Sequence, residues 1–468
     1  MTFRSLIPLF RRQMGDRKRQ RDDSVHPHSS ENIELSEEQN VSKGNDIISS
    51  LPGNVLHHIL SFLSTKDTIR TSILSTKWEY LWTSISNIDL NDDTFPPTGK
   101  KEDRSFLDFV DRVVIFHDMS DIKSLSIKSS ELVNPSRVNS WISDSMRHNI
   151  EELNLSLRLK AQPVLPCHLF TCQSLVTLKL CMNWTNWSLK VPSLTHFWNL
   201  KTLELSYATF SDDNSTQHLF SSCPVLQELA LLNCGWENLK TMTICIPTLR
   251  RLTIENETRW TRDVLSCVTK IYAANLIHLR CISSLVVDFR LYDLCLLVEA
   301  SIGLYNNYSA EDVTPQVLGL LSGVVNVKRL SIKSDTIKCL MLVENLLDHL
   351  PTFYNMIHLE LNLEFYGLCF GILMVLLEKS PKLEFLNFEK GFDRDNMEGY
   401  TLGRVPSCFT SSLKTVRIAY FDEDPEEISA KAPQSIEQAS QRLKKLCYRV
   451  TPPPFLNEEL IRALFEEG

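Results

Sequence analysis

The feature that most constrains this chain is a unit of the form L-x-x-L-x-L that recurs at intervals mostly between 23 and 30 residues. Units open at Ile122, Ile150, Leu175, Leu200, Leu226, Leu249, Leu276, Val327, Met356, Leu383, Leu413 and Leu443, with a weaker one at Leu297. A repeat of that length cannot close a core by itself, so it must stack on its neighbours and share one. The last three positions alternate with the period of a strand. Each unit is therefore predicted to give one strand of a parallel sheet, its leucines pointing into a common spine. The fold class expected is α/β, with the sheet on a concave face and helices and loops returning the chain along the convex one.

The same alternation assigns residues to the concave face. In Leu226-Gln227-Glu228-Leu229-Ala230-Leu231, Leu229 and Leu231 point inward and Glu228 and Ala230 outward. Equivalent offsets give Thr177 and Lys179, Thr202 and Glu204, Arg251 and Thr253, His278 and Arg280, Arg329 and Ser331, His358 and Glu360, and Phe385 and Asn387. Arg251, His278, Arg280 and Arg329 form a basic stretch within this row. Gathered from separate units, they are candidate target-binding residues for an acidic or phosphorylated segment, through charge-assisted hydrogen bonds. The plainer alternative is a solvated strand face, since exposed strand positions are commonly charged.

Ahead of the repeats the texture is different. Residues 1–45 carry a basic cluster (Arg11, Arg12, Arg17, Lys18, Arg19, Arg21) and then an acidic stretch, with no aromatic after Phe10, and read as a disordered tail. The basic run matches a nuclear-import signal, as short runs also do by chance. From Asp46, apolar residues at Val55, Leu56, Ile59, Leu60 and Leu63 make one helical stripe behind Pro52, and a second stripe runs through Ile69, Ile73, Leu74, Trp78, Leu81 and Trp82. Ser64-Thr65-Lys66-Asp67 reads as the turn and cap between them. Two helices this short need their apolar surface covered by a neighbour or a partner.

The stretch Asp46-Ile47-Ile48-Ser49-Ser50-Leu51-Pro52, followed by Ile59-Leu60-Ser61-Phe62-Leu63, Thr65-Lys66-Asp67, Thr71-Ser72-Ile73-Leu74-Ser75-Thr76-Lys77-Trp78 and Leu81-Trp82, resembles the F-box of the plant F-box/leucine-rich-repeat family. The repeats match the leucine-rich type. Val405-Pro406-Ser407-Cys408-Phe409-Thr410-Ser411-Ser412-Leu413 resembles the opening of the FBD region that often closes such proteins, with Pro433 interrupting the helix that normally follows. Two positions depart from the F-box pattern: Gly53-Asn54 follows Leu51-Pro52 in place of an acidic residue, and Thr76-Lys77 precedes Trp78 in place of a basic pair.

The organisation expected is a tail (1–45), a helical F-box (46–92), repeats (93–404), an FBD-like cap (405–450) and a C-terminal tail (451–468). The resemblance implies the substrate-recognition subunit of a Skp-cullin-F-box ubiquitin ligase. A Skp-type adaptor would be covered by Leu51, Pro52, Leu56, Ile59 and Leu60, with Trp78 and Trp82 joining the two helices and adding to the rim. Cullin and RING subunits would follow through the adaptor, and the repeats would hold a protein target. The rival reading is an interaction scaffold outside any ligase.

Composition closes other routes. A formal net charge of -8 opposes a surface built wholly for nucleic acid. Thirteen cysteines, odd in number and without a C-x-x-C pair, fit reduced thiols, not a disulfide framework or zinc site. The apolar patch before Pro8 is too short for a signal peptide, which weighs against an extracellular receptor despite sequons at Asn154, Asn183, Asn186 and Asn256. A nuclear or cytoplasmic location is expected, with no membrane contact. None of the common hydrolase, nucleotide-binding or metalloprotease motifs occurs. The expectation is a non-catalytic protein without cofactor or metal.

Overall fold

The computed structural model describes residues 47–94, 106–117, 122–182, 187–256, 267–284, 287–305, 310–341, 343, 346–362, 370–389, 406–418 and 426–429. The two tails, the unit at Leu443 and Pro433 lie outside them. The chain divides into two compact units, residues 1–161 and 162–468.

In the first unit, helix Gly53–Leu60 starts behind Pro52, whose φ of -60° and extended ψ suit the residue before a first turn. Ser64 caps the next helix, Thr65–Arg70, by accepting the Asp67 amide at 3.1 Å. The second apolar stripe is not one helix. After Arg70 the chain tightens to a 3-10 turn at Thr71–Ile73 and resumes as another at Leu81–Ser84. The Thr71 and Ser72 hydroxyls donate to the Thr68 and Ile69 carbonyls at 2.7 and 2.6 Å, competing for acceptors a continuing helix would use. Strands β1 (Asn87–Asn91), β2 (Ser124–Val133) and β3 (Glu152–Leu159) then pair in parallel. Strand β1 falls inside the stretch read as wholly helical. Thr65 joins it to the helices, its Oγ1 accepting the Asp89 amide at 2.8 Å.

In the second unit, β4 (Thr177–Met182), β6 (Thr202–Ser206), β8 (Glu228–Leu232), β10 (Arg251–Glu255), β12 (His278–Ser284), β14 (Glu299–Tyr305), β15 (Arg329–Lys333), β16 (His358–Asn362), β17 (Phe385–Phe388) and β18 (Thr415–Ile418) form one parallel sheet in that order. Strand β19 (Glu426–Ser429) adds to it antiparallel. Every one of these parallel strands starts two residues after the leading aliphatic residue of its unit, including β14 behind Leu297.

The spine follows from the same spacing. Leu200, Leu203 and Leu205 are 0, 1 and 2% exposed, and the equivalent described side chains of the other units in the sheet are no more than 4% exposed. Burying one leucine stabilises by roughly 1.5–3 kcal/mol. A polar ladder runs beside this spine: Asn199 Nδ2 donates to the Gln173 carbonyl at 2.7 Å, Asn275 Nδ2 to the Pro247 carbonyl at 2.8 Å, and Ser412 Oγ to the Pro381 carbonyl at 3.0 Å. Thr248 Oγ1 reaches the Leu226 carbonyl at 2.7 Å. Each donor precedes its unit's leading residue and bonds the unit before it.

The return side holds more than helices and loops. Strands β5 (Trp187–Leu189) and β7 (Ala208–Phe210) pair in parallel, as do β9 (Thr241–Cys245), β11 (Cys267–Tyr272) and β13 (Val287–Tyr292). Their short alternating runs, such as Thr-Met-Thr-Ile-Cys, bury Met242 and Ile244 and leave the threonines part-exposed. Helices Asp213–Ser221, Ala310–Gly323, Ser334–Met341 and Phe370–Glu378 serve the other returns. Trp187 and Trp236 are buried there, whereas Trp198 is 55% exposed.

Candidate functional site

Two surfaces carry the candidate residues, one in each unit. On the helical module, Leu56, Leu60 and Trp78 form a closed core with Leu51, Leu81 and Ile85 packed against it. Leu56 and Leu60 are 0 and 1% exposed, so neither has side-chain surface to offer a partner. That revises their expected place in an adaptor contact: helix Gly53–Leu60 carries two apolar stripes, and theirs is the inner one. Trp78 and Trp82 are buried as well, which also revises their expected place on the rim; Trp78 packs against Leu56 and Leu60 of the helix. Leu51 is half-buried, while Pro52 and Ile59 are exposed.

The outer stripe consists of Val55, Ile59, Phe62 and Leu63, at 37, 36, 75 and 41% exposure, with Ile73 and Leu74 exposed on the following turn. Spacings of four and three or four residues put the first four on one side of a helix and its trailing turn. Ser61 Oγ donates to the His58 carbonyl at 2.7 Å, and Arg70 pairs with Asp67 at 3.0 Å. The Asp67 carboxyl is held below the usual range by hydrogen bonds from Ser64 and then Arg70.

On the repeat sheet, the register lines up Glu228, Arg251, His278, Glu299, Arg329, His358 and Phe385 in one row. A second row holds Ala230, Thr253, Arg280, Ser301, Ser331, Glu360 and Asn387. Arg251, His278, Arg280 and Arg329 are therefore brought together, and all four line a groove of about 460 Å³ with Glu299, His358 and Glu360. Strand β14, from the weak unit at Leu297, sits between β12 and β15 and supplies Glu299.

None of the four candidate cations stands alone. Arg251 Nε lies 3.6 Å from Glu228, and Arg280 donates through Nε and Nη2 to both oxygens of Glu255, each at 3.1 Å. Glu299 meets His278 Nδ1 at 2.9 Å and accepts from Arg329 Nη1 at 2.6 Å. Partial burial raises the Glu299 pKa, but these two hydrogen bonds outweigh it and hold the carboxyl below its ordinary range. Burial, followed by the charge of Arg329, lowers the pKa of His358, which favours a neutral ring at pH 7. That ring stacks on Phe385, with centroids 5.9 Å apart. At the far side Glu389 is pushed up by burial and then by the neighbouring Glu360 carboxyl.

Sequence spacing located the basic residues but not the acidic ones between them. Glu255 lies two residues beyond the last offset used, and Glu299 belongs to the unit whose Ala300 and Ile302 replace leucines. Among the described residues no group of three or more His, Cys, Asp or Glu side chains is placed to hold a metal ion, and no helix is long and apolar enough to cross a membrane.

Comparison with known proteins finds the F-box domain over residues 48–89 and the repeats of the FBD-associated F-box protein At5g56370 over residues 138–289. The chain is 30% identical over 406 residues to the F-box/LRR-repeat protein At4g14096 of Arabidopsis thaliana, covering 83% of this chain and 84% of that one. It is 31% identical over 435 residues to F-box/LRR-repeat protein At3g59210 of the same plant, covering 86% of each. The putative FBD-associated F-box protein At5g56410 is 30% identical over 399 residues, 78% of this chain and 74% of that one.

Proposed function

Because this chain belongs to the plant F-box/leucine-rich-repeat family, we propose that it is the non-catalytic substrate receptor of a Skp-cullin-F-box ubiquitin ligase. The F-box docks a Skp-type adaptor, and through it cullin and RING subunits, while the open face of the repeat sheet receives a protein target. The observation that carries the reading is the outer stripe of Val55, Ile59, Phe62 and Leu63, left at the surface although the module's own core is already closed. Exposed apolar residues grouped on one side of a folded module mark a protein contact. The contribution to ubiquitin transfer is proximity: target lysines are held at high effective concentration near a thioester carried by another subunit.

The test is co-purification of adaptor and cullin with the intact chain and with an Ile59→Asp, Leu74→Asp variant. Retention of the target and loss of both ligase subunits is the expected outcome. Undiminished adaptor recovery at limiting concentration would remove this surface from the interface. If the intact chain itself recovers no adaptor, the scaffold reading replaces the ligase one. We also propose that the basic cluster at Arg11–Arg21 directs nuclear import. A tagged chain distributed identically with and without residues 1–42 would dismiss that role.

A further inference from the structure

The groove on the repeat sheet has more hydrogen-bonding capacity left on its donors than on its acceptors. Glu299 is already engaged by His278 and Arg329, Glu255 by two nitrogens of Arg280, and Glu360 by Ser331 at 3.1 Å and Asn387 at 3.4 Å. The Arg329 side chain, by contrast, is 63% exposed, and a guanidinium carries five N–H donors in a planar fork, of which Glu299 takes one at Nη1. An incoming cation would have to share Glu299 with His278 and with the positive charge of Arg329, which repels it. An incoming carboxylate meets open N–H groups. A dianionic phosphate is less well suited, because its second charge faces Glu299 and Glu360 across a groove whose arginines are matched by glutamates.

Beside Arg329 the row changes character. His358 and Phe385 occupy the next two strands and stack, and Phe385 is 38% exposed. The pair offers a flat, apolar seat beside a guanidinium. Two strand spacings separate Arg329 from Phe385, about 10 Å, which an extended segment covers in two or three residues.

Resting on the reading that this face receives the target, we propose that the groove recognises a two-part motif. A large apolar or aromatic side chain seats on His358 and Phe385, and an Asp or Glu two or three residues away docks on Arg329. Glu299 shares that arginine and its charge opposes a second carboxylate there, which sets the threshold: only a carboxylate held in place by the neighbouring apolar contact overcomes the repulsion. Removing the charge of Glu299 strengthens binding, while removing Phe385 weakens it.

The experiment is selection of the full chain against a random dodecapeptide display library, followed by titration of the enriched peptides. Expected are peptides with an aromatic or large aliphatic residue and an acidic one two or three positions apart. Their affinity should fall about tenfold, the worth of one good contact, in Phe385→Ala and in Arg329→Gln, and rise severalfold in Glu299→Gln, with each variant still unfolding in one cooperative transition well above the assay temperature. Enriched peptides without an acidic residue, tighter binding of phosphoserine versions, or no enrichment would overturn the motif. Binding lost in an Arg251→Gln, Arg280→Gln, Arg329→Gln variant yet indifferent to Phe385→Ala and Glu299→Gln would sink the motif and leave the open face as the target site. Binding that survives the triple variant would sink both.

Discussion

Lys77 Nζ donates to the main-chain carbonyl of Leu51 at 2.7 Å, tying the two ends of the helical module across 26 residues of chain. Lys77 stands where the family pattern has a basic pair, so the bond shows what a cation at this place does: it holds the Leu51 turn against the segment that carries Trp78. An exposed charge-assisted bond of this kind contributes about 1 kcal/mol. Lys77→Met is therefore expected to destabilise the module by about that amount. The readout is urea unfolding followed by Trp fluorescence, and no change in midpoint would show the bond to be dispensable.

The two stripes of helix Gly53–Leu60 should separate under mutation. Leu60→Ala empties part of a closed core and is expected to cost about 2–4 kcal/mol of stability. Ile59→Asp leaves stability within about 0.5 kcal/mol yet weakens adaptor binding by roughly thirtyfold or more. Calorimetry on both variants beside adaptor titration distinguishes them, and equal stability losses would mean the stripes are not distinct.

Charge reversal of Arg251, Arg280 and Arg329 is a poorer probe of the open face than their pairing residues at first suggest. Each new carboxylate would face Glu228, Glu255 or Glu299, adding repulsion to the lost attraction. Neutral glutamines avoid this. Part-exposed pairs contribute little, so the triple glutamine variant is expected to lose no more than about 0.5 kcal/mol per site in chemical denaturation. A much larger loss would identify the ladder as structural.

Glu299 gives the groove a pH dependence whose sign is fixed. Its pKa is lower in the folded chain than the value of about 4.3 in an unfolded one, so its contribution is complete above that value and disappears as pH falls through the folded pKa. The melting temperature of the native chain minus that of Glu299→Gln should therefore shrink on acidification below about pH 4.5. A difference that stays constant from neutral pH to pH 3 would contradict the ion-pair geometry.

Thiol chemistry should sort by depth. Burial pushes the Cys223, Cys234 and Cys339 pKa values up to about 12, and that of Cys281 still higher, whereas Cys167, Cys245 and Cys295 are exposed. Brief alkylation near pH 8 should modify the exposed three and spare the buried four until denaturant is added. Mass spectrometry of the native digest would reveal the opposite pattern if the spine were open.

Most of the repeat fold was legible because one rule, strand at the second residue after the leading aliphatic, is purely local. It held even at Leu297, where Ala300 and Ile302 weaken the pattern. Strand β1 escaped because Ile85 leads its unit from inside an apolar stretch that helical periodicity also explains. The strands of the return side escaped for a different reason: runs of three to six residues carry too little signal to tell from loop. At the candidate sites the limit was pairing. The basic positions follow from offsets along one strand, but whether an arginine is free depends on which acid the neighbouring strand presents. Likewise Leu56 and Ile59 are equally apolar in sequence, and only the place of Trp78 decides which faces inward.

The ladder of Asn199, Thr248, Asn275 and Ser412 has a direction. Every one of these side chains reaches back to a carbonyl of the unit made before it, and none of these bonds waits for a unit still to come. On a ribosome, where the chain emerges from its N-terminal end, each of these four units can latch onto a finished platform as soon as it clears the exit tunnel. The sheet can therefore lengthen vectorially during synthesis, and a stalled nascent chain would present a last completed unit whose clamps are all closed.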